Sequence, residues 1–455
     1  MEDTIVAIST PMGNAGIGII RMSGEKSFAI LNEVFRPKNT KKELKSHTIN
    51  YGHIYDKDRM IDEVLVSVMK APNTYTKEDI AEINCHGGQV VMKVIMKLLI
   101  EKGARLAEAG EFTKRAFLNG RLDLSQAEAV MDMISAKTER ELSGFAVHLS
   151  GELKHKVLGL REKMIQILAN IEVGIDYPEY DFEGLQEKEM IAGITQILEE
   201  VVELGNTYEN GRLIRDGIKT AIIGKPNVGK SSILNALLRA NRAIVTDIAG
   251  TTRDTLEEYY YLNGITLKLI DTAGIRHSSD VVEKIGIEKS IQSIHEADLL
   301  LLVLDSSKDL EEEDHRILQE IKDKKSIFIL NKADLENKIT REHFETDYPS
   351  ARFIETSALT GYGIDCLENV ITELFALGDI EQSDSLYITN LRQKEALNNA
   401  ADSMRQAIES VRAGFSEEFW AMDLKNAYLE MSKIIGESLE DDVVSQIFAR
   451  FCVGK

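Results

Sequence analysis

A glycine-rich turn at residues 224–231, G-K-P-N-V-G-K-S, most constrains what this chain of 455 residues can fold into. The turn follows an apolar run at 219–223, typical of a buried strand, and precedes a segment at 232–238 with helical periodicity. A G-x-x-x-x-G-K-S pattern between a strand and a helix predicts a loop whose backbone N–H groups surround phosphates. The predicted phosphate-binding residues are Asn227, Val228, Gly229, Lys230, Ser231 and Ser232.

Lys230 and Ser231 carry the chemistry of this turn. The Lys230 ammonium would reach the β- and γ-phosphates, which makes it a candidate catalytic residue, and the Ser231 hydroxyl would bind Mg²⁺. The loop at 250–254, G-T-T-R-D, lies where a switch loop is expected. Thr252 in that loop is the candidate second Mg²⁺ ligand.

Three later motifs lie at the ends of predicted strands, in the order that a guanine-nucleotide site requires. The D-T-A-G sequence at 271–274 would act on Mg²⁺ and sense the γ-phosphate. In N-K-A-D at 331–334, the last carboxylate can accept the N1–H and N2–H of guanine, a pairing that adenine cannot offer. The predicted ligands are Asp271, Gly274, Asn331, Lys332, Asp334, Ser357 and Ala358. Together with the glycine-rich turn, these motifs predict a GTPase.

Position 275 is isoleucine, where many signalling GTPases carry the glutamine that orients the attacking water. An isoleucine cannot orient a nucleophile, so another residue must do so. Glu283 is the nearby candidate. On local sequence alone, a solvent-exposed glutamate at the start of a helix is the favoured interpretation of Glu283.

The hydrophobic pattern predicts a multidomain chain. An α+β domain is expected at 1–119, with strands at 4–9, 18–22 and 64–69 and a helix at 89–102. An all-α domain is expected from 120–214 and 378–455, interrupted by an α/β P-loop domain of Ras-like type at 215–377. Buried, mainly parallel strands of the latter are predicted at 219–223, 267–270, 299–305, 326–330 and 352–355. Asn263-Gly264 predicts an antiparallel hairpin between 256–262 and 265–270.

Charge and cysteine content exclude some classes of protein. The 54 basic and 75 acidic side chains give a net charge of −21, which disfavours broad, non-specific binding of nucleic acid. Cys85, Cys366 and Cys452 lack the spacing of metal ligands and indicate a reducing compartment. The first residues lack the apolar region of a signal peptide, so a cytoplasmic protein without a membrane partner is expected.

The C-terminal residues predict a short helix that Ser438 caps. Its apolar face would carry Val444, Ile447, Phe448 and Phe451. Cys452 follows, but the ending C-V-G-K does not fit a prenylation box. Composition favours a buried structural cysteine at this position, and a thiol delivered to a site is the alternative.

Over essentially its full length, the sequence resembles the tRNA-modification GTPases called MnmE or TrmE. The matching segments are 3–7 (D-T-I-V-A), 16–21 (G-I-G-I-I-R), 75–79 (Y-T-K-E-D), 86–88 (H-G-G), 110–113 (G-E-F-T), 115–119 (R-A-F-L-N), the GTPase motifs with 250–254, and 451–455 (F-C-V-G-K). The sequence departs from the family pattern at Val453, where isoleucine or leucine is usual, and at Lys77, where glycine is usual. It also reads M-G-N at 12–14, where P-G-R is common.

The resemblance implies a folate site and a homodimer. In this family the N-terminal domains are similar to tetrahydrofolate-binding aminomethyltransferases, form the dimer, and bind a reduced folate such as 5,10-methylene- or 5-formyl-tetrahydrofolate. The positions matching the folate residues are Arg21, Glu82, Arg121 and Lys455. The resemblance also places Cys452 close to the folate, where its thiol is a candidate for a chemical role.

The resemblance further implies a potassium ion beside the phosphates, in place of an arginine finger. The matching ligands are Asn227, Thr246, Ile248 and Thr251. Glu283 matches the family residue that orients the attacking water, which reverses the expectation from local sequence. The implied catalytic residues are therefore Glu283, Lys230 and Thr252.

The family acts with MnmG, a partner that carries FAD and uses NADH, in a heterotetramer-type complex. Together they add aminomethyl or carboxymethylaminomethyl groups at C5 of the wobble uridine of tRNA, with a one-carbon unit from folate. A ribosome-assembly GTPase with the same T-T-R-D loop is an alternative, but such proteins usually add a basic RNA-binding domain. A folate-dependent methyltransferase with a regulatory GTPase is a third possibility.

Overall fold

The computed structural model describes most of the chain, in segments separated by gaps. The described residues are 3–39, 44–176, 185–240, 258–262, 264–270, 293–322, 324–349, 351–375, 386–439, 441–452 and 454. The chain divides into two compact units. Unit 1 comprises Met1–Ile134, His148–Val202 and Glu395–Lys455, and unit 2 comprises Ser135–Val147 and Glu203–Lys394. The domain boundaries expected from the sequence stay predictions.

Helices recur along the described chain. They are α1 (Ser27–Val34), α2 (Gln89–Glu101), α3 (Glu111–Leu118), α4 (Leu124–Ser135), α5 (Glu139–Ser150), α6 (Glu152–Asp176), α7 (Leu185–Asn206), α8 (Tyr208–Asp216), α9 (Lys230–Ala240), α10 (Glu312–Glu320), α11 (Ile364–Leu374), α12 (Leu391–Arg412), α13 (Glu417–Ile435) and α14 (Asp441–Phe448). A short 3-10 helix occupies Arg341–His343. Within the described residues, none of these helices is both long and apolar enough to cross a membrane.

A largely antiparallel sheet forms the first part of unit 1. Its strands are β1 (Ile5–Ile8), β2 (Ala15–Ser23), β3 (Phe35–Pro37), β4 (Thr48–Asp56), β5 (Arg59–Met69), β6 (Ile80–Gly87) and β7 (Arg105–Leu106). Their order among the described residues is β3-β4-β5-β6-β2-β1-β7, and only β1 and β7 pair in parallel. On β5, Val64, Val66 and Val68 are buried while Glu63 and Leu65 are exposed, so one face of the sheet packs on a core.

The structure confirms the strands predicted around 4–9, 18–22 and 64–69, as well as the helix at 89–102. The sequence analysis missed β4 and β6. Buried residues alternate with less buried ones in the second half of β4 and along most of β6, so neither strand carries the continuous apolar run that marks a fully buried strand.

The sheet of unit 2 is mainly parallel. Its strands are β8 (Ile218–Ile223), β9 (Glu258–Leu262), β10 (Ile265–Ile270), β11 (Leu299–Asp305), β12 (Ser326–Asn331) and β13 (Arg352–Thr356). Among the described residues the order is β13-β12-β11-β8-β10-β9, with only β9 antiparallel to its neighbour. This arrangement confirms the predicted, mainly parallel sheet and its antiparallel hairpin. The chain turns in opposite directions from β8 and β11, and the carboxyl ends of such strands are where ligands bind in this architecture.

Both faces of this sheet are buried, as β11 illustrates. Leu299, Leu301 and Val303 join a core on the side of α9 and α11. The alternate residues, Leu300 and Leu302, join a separate core on the other face, with residues of α10 and β12. Because side chains alternate along a strand, the continuous apolar run at 299–304 predicts this two-sided burial.

The C-terminal helix α14 belongs to unit 1. Val444, Phe448 and Phe451 are buried against Leu124 and Ala127, with Ile447 partly buried at the same core, which confirms the predicted apolar face. The predicted cap is wrong. The helix begins at Asp441, three residues after Ser438, whose hydroxyl instead donates to the Leu429 carbonyl at 3.2 Å. This bond links the segment after α13 back to that helix.

Candidate functional site

The predicted phosphate-binding loop connects β8 to α9 at the carboxyl end of the sheet. Its glycines are required by close contacts: a Cβ at Gly224 would lie 2.3 Å from the Val303 carbonyl oxygen, and one at Gly229 would lie 2.1 Å from Nδ2 of Asn331. Asn227 adopts a left-handed conformation, with φ of 63°, which asparagine tolerates better than most residues. The loop thereby leads into the N-terminus of α9, where backbone N–H groups favour an anion.

Lys230 is held by the loop that it follows. Its ammonium donates to the carbonyl oxygens of Gly224, at 2.6 Å, and Lys225, at 2.7 Å. Burial lowers the pKa of Lys230 below that of a free lysine. Ser231 and Ser232 are exposed in the first turn of α9, and Val228 is buried beneath the loop. The ammonium and the hydroxyls therefore lie at the end of the helix where a phosphate would bind.

Asn331 joins three of the predicted nucleotide-binding elements. Its Nδ2 donates to the Val228 carbonyl at 2.8 Å, and its Oδ1 accepts from the Ala358 N–H at 3.2 Å and from the Thr356 hydroxyl at 3.3 Å. The residue is 2% exposed. The sequence indicated that Asn331 contributes to nucleotide binding, but it did not indicate this role in holding the loop and the end of β13 together.

The remaining residues of the N-K-A-D motif lie beside this junction. Lys332 has a φ of 67° and its ammonium donates to Asp305 at 2.6 Å. Burial would raise the pKa of Asp305, but hydrogen bonds from Lys332 and Ser307 hold it below its usual value. Asp334 is exposed just beyond, which leaves its carboxylate accessible to a guanine base.

A cavity of about 250 Å³ lies beside the loop, lined by residues that include Lys225, Asn227, Asp305 and Asp314. The Lys225 side chain forms part of the cavity wall and pairs with two acidic residues there. Its ammonium lies 2.6 Å from a carboxylate oxygen of Asp314 and 3.1 Å from one of Glu311. Asp314 is 3% exposed and lies in the first turn of α10. Burial would lower the pKa of Lys225, but these two carboxylates raise it above its usual value. The sequence analysis did not identify this anchor.

Several predicted site residues lie outside the described residues. They are Thr246, Ile248, Thr251, Thr252, Asp271, Gly274, Glu283 and Lys455. Among the described residues, no group of three or more His, Cys, Asp or Glu side chains could hold a metal ion. The described members of the predicted cation sites, Asn227 and Ser231, are exposed and offer an amide and a hydroxyl oxygen, donors that suit Mg²⁺ and K⁺.

A second cluster of predicted residues forms in unit 1, around the ring of Tyr75. Arg21 and Glu82 are cross-strand partners on β2 and β6, and their side chains pair at 2.7 Å. The Arg21 guanidinium lies 5.8 Å from the centre of the Tyr75 ring and 5.7 Å from that of Phe112. Arg121 lies 4.7 Å from the Tyr75 ring. Two arginines that the sequence analysis assigned to folate therefore lie beside one aromatic ring, and one of them pairs with the third assigned residue, Glu82. The sequence analysis did not single out this ring.

The C-terminal tail packs next to this cluster. The Gly110 N–H donates to the Cys452 carbonyl at 3.2 Å, and the Ser9 hydroxyl donates to the Gly454 carbonyl at 3.1 Å. Gly110 lies two residues before Phe112, whose ring contacts Arg21. Cys452 is exposed, so the composition-based expectation of a buried structural cysteine is wrong. The tail is held by these main-chain bonds and by the buried ring of Phe451, while the Cys452 side chain is exposed.

A buried ion network supports the same region. Arg115 is fully buried in α3, where its guanidinium donates to Glu111 at 2.9 Å, to Asp3 at 2.8 Å and to Glu78 at 3.2 Å. Arg105 makes two further bonds to Glu111, at 2.6 and 3.1 Å. Four of the family-like segments, 3–7, 75–79, 110–113 and 115–119, thus meet at one arginine. The i,i+4 spacing of Glu111 and Arg115 in the sequence was the signal for part of this network.

Two family models match the chain. The model described as the GTP-binding protein TrmE N-terminus matches residues 4–121, and the model described as the MnmE helical domain matches residues 124–452. The tRNA modification GTPase MnmE of Acetivibrio thermocellus is 48% identical over 456 residues, which cover 100% of this chain and 99% of that protein. The chain belongs to the MnmE family.

Other relatives give the same result over the whole length. The MnmE protein of Thermoanaerobacter pseudethanolicus is 50% identical, and that of Enterococcus faecalis is 47% identical; these matches cover 100% of this chain and 99% and 98% of the two proteins. Among solved structures, the G domain of the T. maritima FeoB iron transporter is 31% identical over 35% of this chain and 98% of its own, with a TM-score of 0.26. That score is too low to bear on the fold, which rests on the strand order. As a member of the MnmE family, the chain is a GTP-hydrolysing enzyme.

Proposed function

We propose that this GTPase modifies tRNA at C5 of the wobble uridine, with an FAD-containing MnmG-type partner and a one-carbon unit from a reduced folate. The observation that carries the proposal is the Arg21–Glu82 pair, at 2.7 Å, which lies beside the rings of Tyr75 and Phe112 in the segment that matches TrmE. A guanidinium, a carboxylate and flat apolar surfaces in one place suit a pterin better than they suit a phosphate.

In the proposed folate site, each residue would bind a different part of the ligand. Glu82 would accept pterin N–H groups, while Arg21 and Arg121 would bind a carbonyl oxygen or the glutamate tail. Lys455 completes the proposed set. A reduced folate, when bound, would supply the one-carbon unit. The exposed thiol of Cys452 is the proposed candidate for chemistry on that unit.

The nucleotide site would hold the triphosphate on the loop at 224–231. Lys230 would bind the β- and γ-phosphates, Asp334 would select guanine, and Glu283 would orient the attacking water. The proposed Mg²⁺ ligands are Ser231 and Thr252, and the proposed K⁺ ligands are Asn227, Thr246, Ile248 and Thr251. These cations would place positive charge where the transition state develops negative charge. We propose that hydrolysis gates the modification reaction.

The assembly is proposed to be a cytoplasmic homodimer that joins its partner in a heterotetramer-type complex. The net charge of −21 supports a division of labour in which the partner supplies much of the tRNA-binding surface. This part of the proposal predicts that the chain alone binds tRNA weakly and that the partner increases both the affinity and its salt dependence. Binding of tRNA by the chain alone, at the affinity of the complex, would contradict it.

Deletion of the gene, followed by mass spectrometry of tRNA nucleosides, tests the function directly. Loss of the C5 aminomethyl-type group from wobble uridine, restored by the wild-type gene, is the expected result. Arg21→Ala is expected to hydrolyse GTP normally and fail to restore the nucleoside. Arg36→Ala is the matched control, because Arg36 stacks on Tyr55 at 4.1 Å elsewhere on the same sheet, and it should restore the nucleoside. An unchanged nucleoside profile would favour the ribosome-assembly alternative.

A further inference from the structure

Glu141 is a buried carboxylate that the nucleotide chemistry described above does not use. It is 5% exposed and lies in the first turn of α5. Part of its role is local: its N–H donates to the Thr138 hydroxyl at 3.1 Å, and its Oε2 accepts the N–H of Lys137 at 2.6 Å. This arrangement is a variant of the capping box, in which a glutamate at the third helical position satisfies a free N–H before the helix.

The second oxygen of the same carboxylate forms a hydrogen bond to a residue of β10, in the sheet of the same unit. Oε1 of Glu141 accepts a hydrogen bond of 2.5 Å from the hydroxyl of Thr266, which is 125 positions away and is the second of the six residues of β10. Thr266 is also 5% exposed. A hydrogen bond to a carboxylate in a buried setting is stronger than one between neutral groups. A helix cap alone does not require this contact.

The start of α5 also contacts β9, the other strand of the hairpin. The Lys137 ammonium lies 2.9 Å from the centre of the Tyr259 ring. A cavity of about 20 Å³, too small for more than a water molecule, is lined by residues that include Arg140, Glu141, Gly264 and Thr266. The helix start is therefore packed closely against both strands of the hairpin, and the Glu141–Thr266 bond is a buried polar contact between them.

The hairpin connects the two loops that the sequence assigns to the reaction. The G-T-T-R-D loop at 250–254 precedes β9 by a few residues, and β10 ends at Ile270, directly before Asp271. Since strands are stiff, a small displacement of this hairpin would move the end of the first loop and the start of the second. Catalytic geometry tolerates displacements of only a fraction of an ångström.

We infer that Glu141 is a positioning residue for GTP hydrolysis: through Thr266 it fixes the hairpin that carries the two switch loops. The helical segment at 135–147 thereby acts on the nucleotide reaction without touching the nucleotide. Because coupling between sites is reciprocal, a displacement of β10 that depends on the bound nucleotide would also displace the start of α5.

Single-turnover GTP hydrolysis by the full chain, with Mg²⁺ and K⁺, tests the inference. Thr266→Val removes the hydroxyl with little change in volume, and we expect the hydrolysis rate to fall about tenfold with the affinity for GTP within about twofold. Thr266→Ser keeps a hydroxyl and should retain most of the rate. Glu141→Ala should lower the rate similarly, and the double variant should fall no further than the lower single variant, because both remove one contact.

Thr220→Val is the matched control. Thr220 is a buried threonine on the neighbouring strand β8, where its hydroxyl donates to the Ile218 carbonyl at 3.0 Å, and its loss should lower the unfolding temperature without the rate defect. A wild-type hydrolysis rate in Thr266→Val, with or without a lower unfolding temperature, would overturn the inference. Equal defects in Thr266→Val and Thr266→Ser, or strictly multiplicative defects in the double variant, would overturn it too.

Discussion

The Nδ2 atom of Asn331 lies 2.8 Å from the carbonyl oxygen of Val228, and this hydrogen bond joins the guanine-recognition motif to the phosphate-binding loop. The two residues are 103 positions apart in sequence. Since the same amide also accepts from the Ala358 N–H, one side chain sets the distance between the predicted phosphate and base sites. A ligand with a fixed distance between base and phosphates gains affinity from such preorganisation.

Asn331→Ala should therefore weaken GTP binding even if no atom of Asn331 contacts the nucleotide. Loss of buried hydrogen bonds that join the two halves of the site predicts a rise in the Kd for GTP of between about 10- and 100-fold. Titration with a fluorescent GTP analogue measures this change. Asn337→Ala, at an exposed asparagine in the following loop, is the control and should bind normally. A Kd for Asn331→Ala within threefold of wild type would contradict the argument.

Lys225→Met should impair hydrolysis through the position of the loop. The Lys225 carbonyl accepts a hydrogen bond from the Lys230 ammonium, while the Lys225 side chain is anchored to Asp314. Without the ammonium, the buried Asp314 carboxylate keeps the N–H of Glu311 but loses its cation, and the loop loses its contact with α10. We expect kcat/KM for GTP to fall roughly tenfold, a loss of about 1.4 kcal/mol of transition-state stabilisation.

Two further variants separate this effect from a simple loss of charge. Lys225→Arg retains a cation that can reach Asp314 and should keep most of the activity. Lys308→Met removes an exposed lysine from the wall of the same cavity and should behave as wild type. If Lys308→Met and Lys225→Met were impaired equally, the electrostatic field of the cavity would account for the effect instead of the anchor.

The motifs predicted the strands and turns of the nucleotide unit because their glycines and apolar runs are local signals. Which side chains those turns contact depends on the tertiary fold, so the partners of Asn331 and Lys225 were not visible in the sequence. Lys77 illustrates an intermediate case. It replaces a glycine usual at this position in the family, and its φ of 58° explains why glycine is favoured there. The exposure of Cys452 depends on the docking of the tail, which composition cannot report.

Arg115→Met should destabilise unit 1 strongly. The guanidinium is fully buried, and its removal leaves Glu78 and Glu111 as carboxylates with fewer partners in a region of low exposure. Breaking a buried ion pair in this way costs about 3–5 kcal/mol. The transition of unit 1 in a thermal scan can be recognised because added GTP does not shift it, whereas a ligand stabilises the unit that binds it. Lys97→Met, which removes an exposed ion pair on the surface, is the control. If Arg115→Met lowered the unfolding temperature of unit 1 by less than this control does, the buried network would contribute little to stability.

The stability of unit 1 should fall in acid through the same network. Burial would raise the pKa of Glu111, but hydrogen bonds from Arg105, the Glu108 N–H and Arg115 hold it below its usual value. The pKa of Asp3 is likewise lowered, since the bonds from Arg105 and Arg115 outweigh its slight burial. A carboxyl group with a lowered pKa in the folded state stabilises that state above its unfolded pKa, about 4, and loses this contribution as the pH falls through the folded value.

Arg105→Met isolates this contribution from the many other carboxylates of the chain. Arg105 pairs with both Asp3 and Glu111, so its removal should lower the unfolding temperature of unit 1 clearly at pH 7. As the pH falls below about 4 the difference between the variant and the wild type should shrink, because the two carboxyl groups then bind protons in the unfolded chain, which offsets part of the stability that the pairs give to the folded wild type. A difference that stayed constant between pH 7 and pH 3 would mean that Arg105 stabilises the unit by packing of its side chain rather than by its charge.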